Sequence, residues 1–341
     1  MKCVAIKGPR KLETSTIDAP KSKDGSVVID VRKTGICGSD IHYWDLGMPN
    51  NMVMGHEFCG IVTDPGNRTD LKVGDRITAL PISPCGECSA CKSGNPQYCA
   101  KTWDKAVGLS LTNPGAYAPQ TSIRPDMVVK VPSNITDAEV AMVEPTAVAL
   151  HAVDLANIKV GSRVLVVGAG IIGQLCAMFA KLNGATYVAI SEMNEKRGRK
   201  AVQLGVADEY FYAADPEWQK NVTHECGEGF DYVFECCGNS PAVSSAITAT
   251  RPNGTVVLVG VSMDSITIPS ILVVTKEMIL KGAIGYTKEE FVECVDLMAN
   301  RKIDVLKFVD DIVGLDDVQH AFERLTSGND NAIKILIDPR M

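Results

Sequence analysis

The sequence predicts an α/β protein in which a doubly wound parallel sheet is joined to a second, mostly β domain. Three observations carry that prediction. A short apolar strand, a glycine loop and a helix follow one another at 162–182. Alternating apolar runs broken by Gly and Pro fill the first third, and four cysteines fall within fifteen residues, 85–99, in a stretch too polar to build a core. At 341 residues the chain is also longer than one typical core, which favours two domains.

Composition narrows the function classes. Hydrophobic content of 45% and charged content of 22% are those of an ordinary globular protein. A formal net charge of −7, without any run of Lys or Arg, argues against nucleic acid or an anionic membrane and for a small-molecule partner. No apolar run reaches roughly 18 residues and the first residues show no secretory h-region, so a cytoplasmic location is expected. In such a compartment twelve cysteines point to metal before disulfides.

In chain order, Val4–Ile6 and Ser26–Arg32 read as strands joined by turns at Gly8-Pro9, Ala19-Pro20 and Asp24-Gly25. Cys37-Gly-Ser-Asp-Ile-His-Tyr-Trp44 and Gly55-His-Glu57 bring a thiol, an imidazole and a carboxylate close together, donors that suit zinc. Taken alone, that stretch also fits a buried Cys and a hydrogen-bonded core His. Strands continue at Cys59–Thr63 and within Lys72–Leu80. Cys85, Cys88, Cys91 and Cys99 then form a C-x2-C-x2-C-x7-C array, read as a closed structural zinc lobe. It lacks the basic and aromatic neighbours of a nucleic-acid zinc knuckle. Gly115–Ala118 is expected in a surface loop and Met127–Pro132 as a strand. A helix starting at Asp137 is expected to break at Pro145, leaving the Glu144 carboxylate at the break. There it would meet a metal or an arginine, or serve as the N-terminal charge of the next helix.

From Gly161 the pattern changes. Ser162–Val167 suits a buried parallel strand, and Gly168-Ala-Gly-Ile-Ile-Gly173 with the helix after it completes a dinucleotide fingerprint. Gly168 would make the tight turn, Gly170 admit the pyrophosphate and Gly173 let helix and strand pack closely. Glu192 ends the next strand, 19 positions after Gly173, where a carboxylate accepts from ribose hydroxyls and repels a 2′-phosphate, favouring NAD. Lys196, Arg197 and Arg199 keep NADP as a minority reading, Arg197 being the cofactor candidate among them. The strands Phe230–Gly238 and Gly254–Val261 end in glycine where a cofactor would pass, with Val259 and Val261 at the tip of the second. Met278–Gly285 reads as the last strand, 289–300 and 315–328 as amphipathic helices, and Asn331–Pro339 as a strand returning to the first domain.

Taken together, Cys37 with His56, the cysteine lobe, Glu144-Pro145 and the glycine-loop unit resemble the medium-chain zinc-dependent alcohol dehydrogenases from end to end. Gly-His-Glu with Glu-Pro is similar to the polyol branch of sorbitol, xylitol, butanediol and threonine dehydrogenases. The 37–44 segment is closer to the sorbitol and xylitol form, whereas 144–151 and 284–291 are nearer the butanediol form. The resemblance implies a GroES-like catalytic domain at 1–148, a Rossmann NAD domain at 149–285, a return segment at 286–341 and a homo-oligomer, tetramer or dimer, joined through Ser265–Pro269. It implies two zinc ions per chain, a catalytic one on Cys37, His56 and Glu57, with Glu144 as a further ligand or the group that orients its water, and a structural one on the lobe. Asp40 would fix the His56 tautomer, Ser39 would take the substrate proton and His42 would continue the relay.

The implied reaction is hydride transfer from a secondary alcohol or polyol to NAD, giving the ketone. Threonine and sugar-alcohol phosphates are alternative substrates, and a non-enzymatic NAD-binding scaffold or sensor is the alternative class. Sorbitol dehydrogenases tend to carry Arg-Tyr where this chain has Gly285-Tyr286, which counts against a long sugar alcohol. Tyr43 remains as an aromatic for the pocket.

Overall fold

Short apolar, β-branched runs broken by Gly and Pro make the first third of the chain mostly β. In the computed structural model, which describes residues 1–215, 217, 218, 220, 227 and 229–341, β1 (Lys2–Gly8) and β2 (Lys11–Thr16) form a hairpin. They are followed by β3 (Val27–Gly35), helix α1 (Gly38–Leu46), β4 (Glu57–Asp64), β5 (Arg76–Ala79), a short helix α2 (Ser89–Lys92), β6 (Gln120–Ile123) and β7 (Val128–Lys130). Inward residues Val27, Ile29, Val31, Phe58, Val62 and Ile77 build the core of this unit. Helices α3 (Asp137–Ala141) and α4 (Val143–Ala156) lead out of it.

The second unit opens with β8 (Arg163–Val167), α5 (Ile171–Leu182), β9 (Tyr187–Glu192), α6 (Glu195–Gln203) and β10 (Glu209–Tyr212). It continues through β11 (Phe230–Glu235), α7 (Ser240–Ala249), β12 (Thr250–Leu258), α8 (Ser270–Thr275) and β13 (Ile279–Gly282). Its six strands are all parallel in the order β10-β9-β8-β11-β12-β13, so the sheet reverses its direction of winding between β8 and β11. The chain then returns through α9 (Lys288–Ala299), β14 (Val309–Val313), α10 (Val318–Thr326) and β15 (Lys334–Ile337). Strand β15 joins the first sheet, antiparallel to β3 and parallel to β14. That pairing places Leu336, Gly35 and Glu57 in one row across β15, β3 and β4.

Several expectations need correction. The return segment is interrupted: one unit comprises Met1–Ala147, Tyr286–Ser327 and Lys334–Met341, the other Val148–Gly285 and Gly328–Ile333. Residues 328–330 are held in the second unit because Asn194 donates to Gly328 and Asp330 carbonyls and Lys196 to that of Asn329. The helical break falls at Met142, not Pro145, which lies in the first turn of α4, where a missing N–H breaks no bond. Gly115–Ala118 is not a surface loop: Ala116, Tyr117 and Ala118 are fully buried, because this stretch lies against Val53–Gly55 and hydrogen-bonds to their carbonyls. Ser265–Pro269 forms no strand within the chain. Among the described residues no helix is long and apolar enough to cross a membrane. Eleven cysteines are free thiols, and Cys226 lies outside the described residues.

Candidate active site

Helix α1 begins at Cys37, whose backbone N–H donates to Asp40 Oδ2 at 3.0 Å. The same helical turn thus presents Cys37 and turns Asp40 inward, where it is fully buried. Asp40 Oδ1 lies 3.4 Å from His56 Nδ1, and the Tyr117 hydroxyl donates to Oδ2 at 2.8 Å. With Nδ1 facing a carboxylate, Nε2 is left as the ligating nitrogen. Cys37, His56 and Glu57 each offer a donor atom within 4.8 Å of the others'.

Glu57 is fully buried and pairs with the Lys334 ammonium, which also donates to the Ile36 carbonyl at 2.9 Å. The intervening strand allows this because residue 35 is glycine: a Cβ there would run into Glu57 Oε2 and the end of Lys334. Lys334 takes Oε2, while Oε1 has no protein partner. A metal would satisfy that orphaned oxygen.

Glu144 stands outside the three-ligand group. It lies in the first turn of α4, buried, and its Oε1 accepts from the Tyr286 hydroxyl at 2.8 Å. Burial raises its carboxyl to about 7, with Glu57 adding to the rise and His56 opposing it. For His56, burial disfavours the charged form, but Asp40 and Cys37 outweigh it and hold the imidazole well above its usual range. The pocket therefore favours a cation, and its N, S and O donors fit zinc.

Ser39 and His42 are three apart on α1 and share a helix face. Ser39 Oγ lies 3.4 Å from His56 Nε2, the ligand side of the ring, while His42 is exposed. Tyr43 is half-buried on the same helix. Tyr117, Tyr286 and Lys334 were not singled out as site residues by the sequence. Lys334 shows only as a charged residue within an apolar run, and Tyr286 only through the Gly285-Tyr286 comparison.

The lobe is built differently. The thiols of Cys85, Cys88, Cys91 and Cys99 lie within 4.8 Å of one another. Cys85 Sγ accepts the N–H groups of Glu87 and Cys88, both at 3.4 Å, which lowers its pKa to about 6. Cys99 Sγ accepts those of Cys85 and Lys101 at 3.3 and 3.4 Å and is likewise lowered, whereas desolvation raises Cys91 to about 11. Four sulfurs would fill the coordination shell of a zinc ion and leave no position for a substrate.

In the second unit Gly168 adopts φ +102°, and its N–H donates to Ser191 O at 2.8 Å. Gly170 caps α5, and a Cβ on it would face open space, the room a pyrophosphate uses at a helix N-terminus. A Cβ on Gly173 would strike the Gly168 carbonyl, so helix and loop touch there. Glu192 ends β9, and its two carboxylate oxygens accept the N–H groups of Ala169 and Asn194 at 2.7 and 2.8 Å. Each oxygen retains a lone pair for a ribose hydroxyl. Arg197 is half-buried on α6, Lys196 reaches Asn329, and Arg199 lies 3.4 Å from Glu195. Val259 and Val261 follow β12, the first buried and the second exposed.

Residues 23–133 match the alcohol dehydrogenase GroES-like domain and residues 172–300 the zinc-binding dehydrogenase domain. The chain is 32% identical to D-xylulose reductase A of Aspergillus oryzae over 346 aligned positions, covering 97% of this chain and 95% of that protein. Among solved structures it resembles 2R,3R-butanediol dehydrogenase from Bacillus subtilis, with 29% identity, 99% of each chain covered and a TM-score of 0.87. A protein described as a zinc-binding dehydrogenase from Sinorhizobium meliloti 1021, bound to NADP, is similar at 26% identity, 99% of each chain and a TM-score of 0.89.

Proposed function

The chain belongs to the zinc-dependent medium-chain alcohol dehydrogenases, and on that footing we propose that it oxidises a secondary hydroxyl of a short polyol or diol to the ketone, with NAD as hydride acceptor. The observation that carries this reading is the convergence of Cys37, His56 and Glu57 donors within 4.8 Å beside a serine hydroxyl. Zinc there would supply Lewis acidity toward the substrate oxygen, and NAD would accept the hydride.

The chain's own residues do the rest. Asp40 and Tyr117 fix the His56 ring, and Lys334 fixes the Glu57 carboxylate. Ser39 Oγ takes the substrate's hydroxyl proton, and His42, exposed on the same helix face, passes it to solvent. Glu144, held by Tyr286, is the remaining carboxylate that can orient a water or a hydroxyl. Cys85, Cys88, Cys91 and Cys99 would hold a structural zinc.

Glu192 supports NAD over NADP because a carboxylate at the ribose repels a 2′-phosphate. The Sinorhizobium neighbour's NADP is the reason to test both cofactors. Strand β13 is a sheet edge beside exposed Ile271, Val274 and Ile279, which supports a homo-oligomer built from that face. Free thiols throughout the described chain suit the reducing cytoplasm.

The test is a panel of diols, pentitols, hexitols, their phosphates and threonine, assayed with NAD and with NADP on protein of known zinc content. Turnover with xylitol or a vicinal diol, lost on chelation and restored by zinc, is expected. Full activity after removal of the labile zinc would defeat the mechanism, and no turnover across the panel would favour a cofactor-binding scaffold.

A further inference from the structure

Glu235 is a charged residue ending an apolar strand, fully buried, with no cation beside it among the described residues. Its side-chain Oε1 accepts the N–H groups of Cys237 and Gly238 at 2.7 and 2.9 Å. Its main-chain carbonyl accepts those of Val259 and Gly260 at 2.8 and 2.9 Å. One residue therefore takes four N–H groups from the two turns that follow β11 and β12. Oε2 remains buried without a hydrogen bond, and burial raises the carboxyl's pKa. A group so placed costs stability in either protonation state, so packing alone does not explain it.

The two turns also touch through their backbones. A Cβ on Gly238 would lie 2.5 Å from the Val261 carbonyl, and one on Gly260 would strike Gly238 N. Cys237 Sγ donates to the Val167 carbonyl at 3.5 Å, and a Cβ on Gly168 would lie 2.7 Å from that sulfur. The clamped pair of turns thus abuts the glycine loop.

In a doubly wound sheet the dinucleotide lies across the carboxyl ends of the strands where the winding reverses, here between β8 and β11. The glycine loop and Glu192 occupy the β8–β9 side, which leaves the β11–β12 side for the nicotinamide half. We propose that Glu235 is a positioning residue for the nicotinamide half of the cofactor, its side chain holding the Cys237–Gly238 turn against the Val259–Gly260 turn that its carbonyl binds, so that the two form one rigid floor. This rests on the second unit being the cofactor domain.

The experiment compares NADH with AMP, which carries only the adenosine half, by calorimetry on the zinc-loaded protein. Glu235→Ala loses two N–H acceptor contacts and is expected to weaken NADH binding about tenfold while leaving AMP within about twofold. It should raise KM for NAD more than it lowers kcat. Glu235→Gln keeps an acceptor oxygen at the same place and is expected to stay within about threefold of the parent. Gly260→Ala drives the turns apart with Glu235 intact and should reproduce the NADH-selective loss, which keeps the test open if Glu235→Ala does not fold. Equal losses for AMP and NADH, or undiminished NADH binding, would overturn the proposal. A parent protein that binds neither ligand would remove the cofactor reading and this proposal with it.

Discussion

The cysteine lobe draws all four donors from one fifteen-residue loop and prepares them with backbone N–H groups, as at Cys85 and Cys99. The Cys37–His56–Glu57 group spans a longer stretch, and side chains hold its donors: Asp40 and Tyr117 behind His56, and Lys334 behind Glu57. Backbone N–H groups behind the donors suit a site that must close and stay closed. Side-chain partners behind the donors leave charge and orientation adjustable, which a catalytic metal site would need. The difference also predicts what fails when each is broken.

The largest effect on stability is expected at the lobe. Cys88→Ser should drop the structural zinc and cost about 5 kcal/mol or more, because metal binding there is folding free energy in a segment without a core. Denaturant titration with metal analysis checks it, and an unshifted midpoint with one zinc missing would show the lobe to be dispensable. Cys37→Ser should behave oppositely. Turnover is expected to fall about a thousandfold, some 4 kcal/mol of barrier, while the melting temperature moves by about 2 °C or less.

Lys334→Met should show how the catalytic donors are held. It leaves the Glu57 carboxylate buried without its counter-charge, so the metal-free protein is expected to lose about 3 kcal/mol. Zinc should return part of that loss by replacing the missing positive charge. Equal destabilisation with and without zinc would mean that Lys334 does not share the site's electrostatics.

A smaller effect is expected at the far end of β15. Burial alone would raise Asp338, but Arg340 and Lys33 outweigh it and lower the carboxyl to about 2. Its stabilisation should therefore be fully present above about pH 4 and lost as pH falls toward 2, amounting to about 2 kcal/mol. Asp338→Asn should flatten that part of the pH–stability curve measured by urea unfolding. An unchanged curve would show that the ion pairs do not tie β15 to β3.

Much of the fold was legible because its signals are local. The strand, glycine loop and helix at 163–182 occupy consecutive residues, and so do the lobe's cysteines, so their spacing encodes backbone geometry directly. Short apolar, β-branched runs between turn residues marked β3 and β4 for the same reason. Pro145 misled because a proline signal does not say whether it ends a helix or sits in the first turn of the next. The Gly115–Ala118 stretch misled because Gly and Ala look alike in an exposed turn and in a buried segment that needs small side chains.

By itself, then, the sequence determined the two kinds of domain, the clustered cysteines and the donor types of the proposed catalytic group, since each follows from short stretches of the chain. Only the tertiary structure decided what stands behind those donors. Tyr117 reaches Asp40 from 77 positions away, Tyr286 reaches Glu144 from 142 and Lys334 reaches Glu57 from 277. A polar side chain carries no mark of its partner in the one-dimensional pattern. The pairing is settled when packing excludes water and each buried hydroxyl, ammonium and carboxylate must find another protein group.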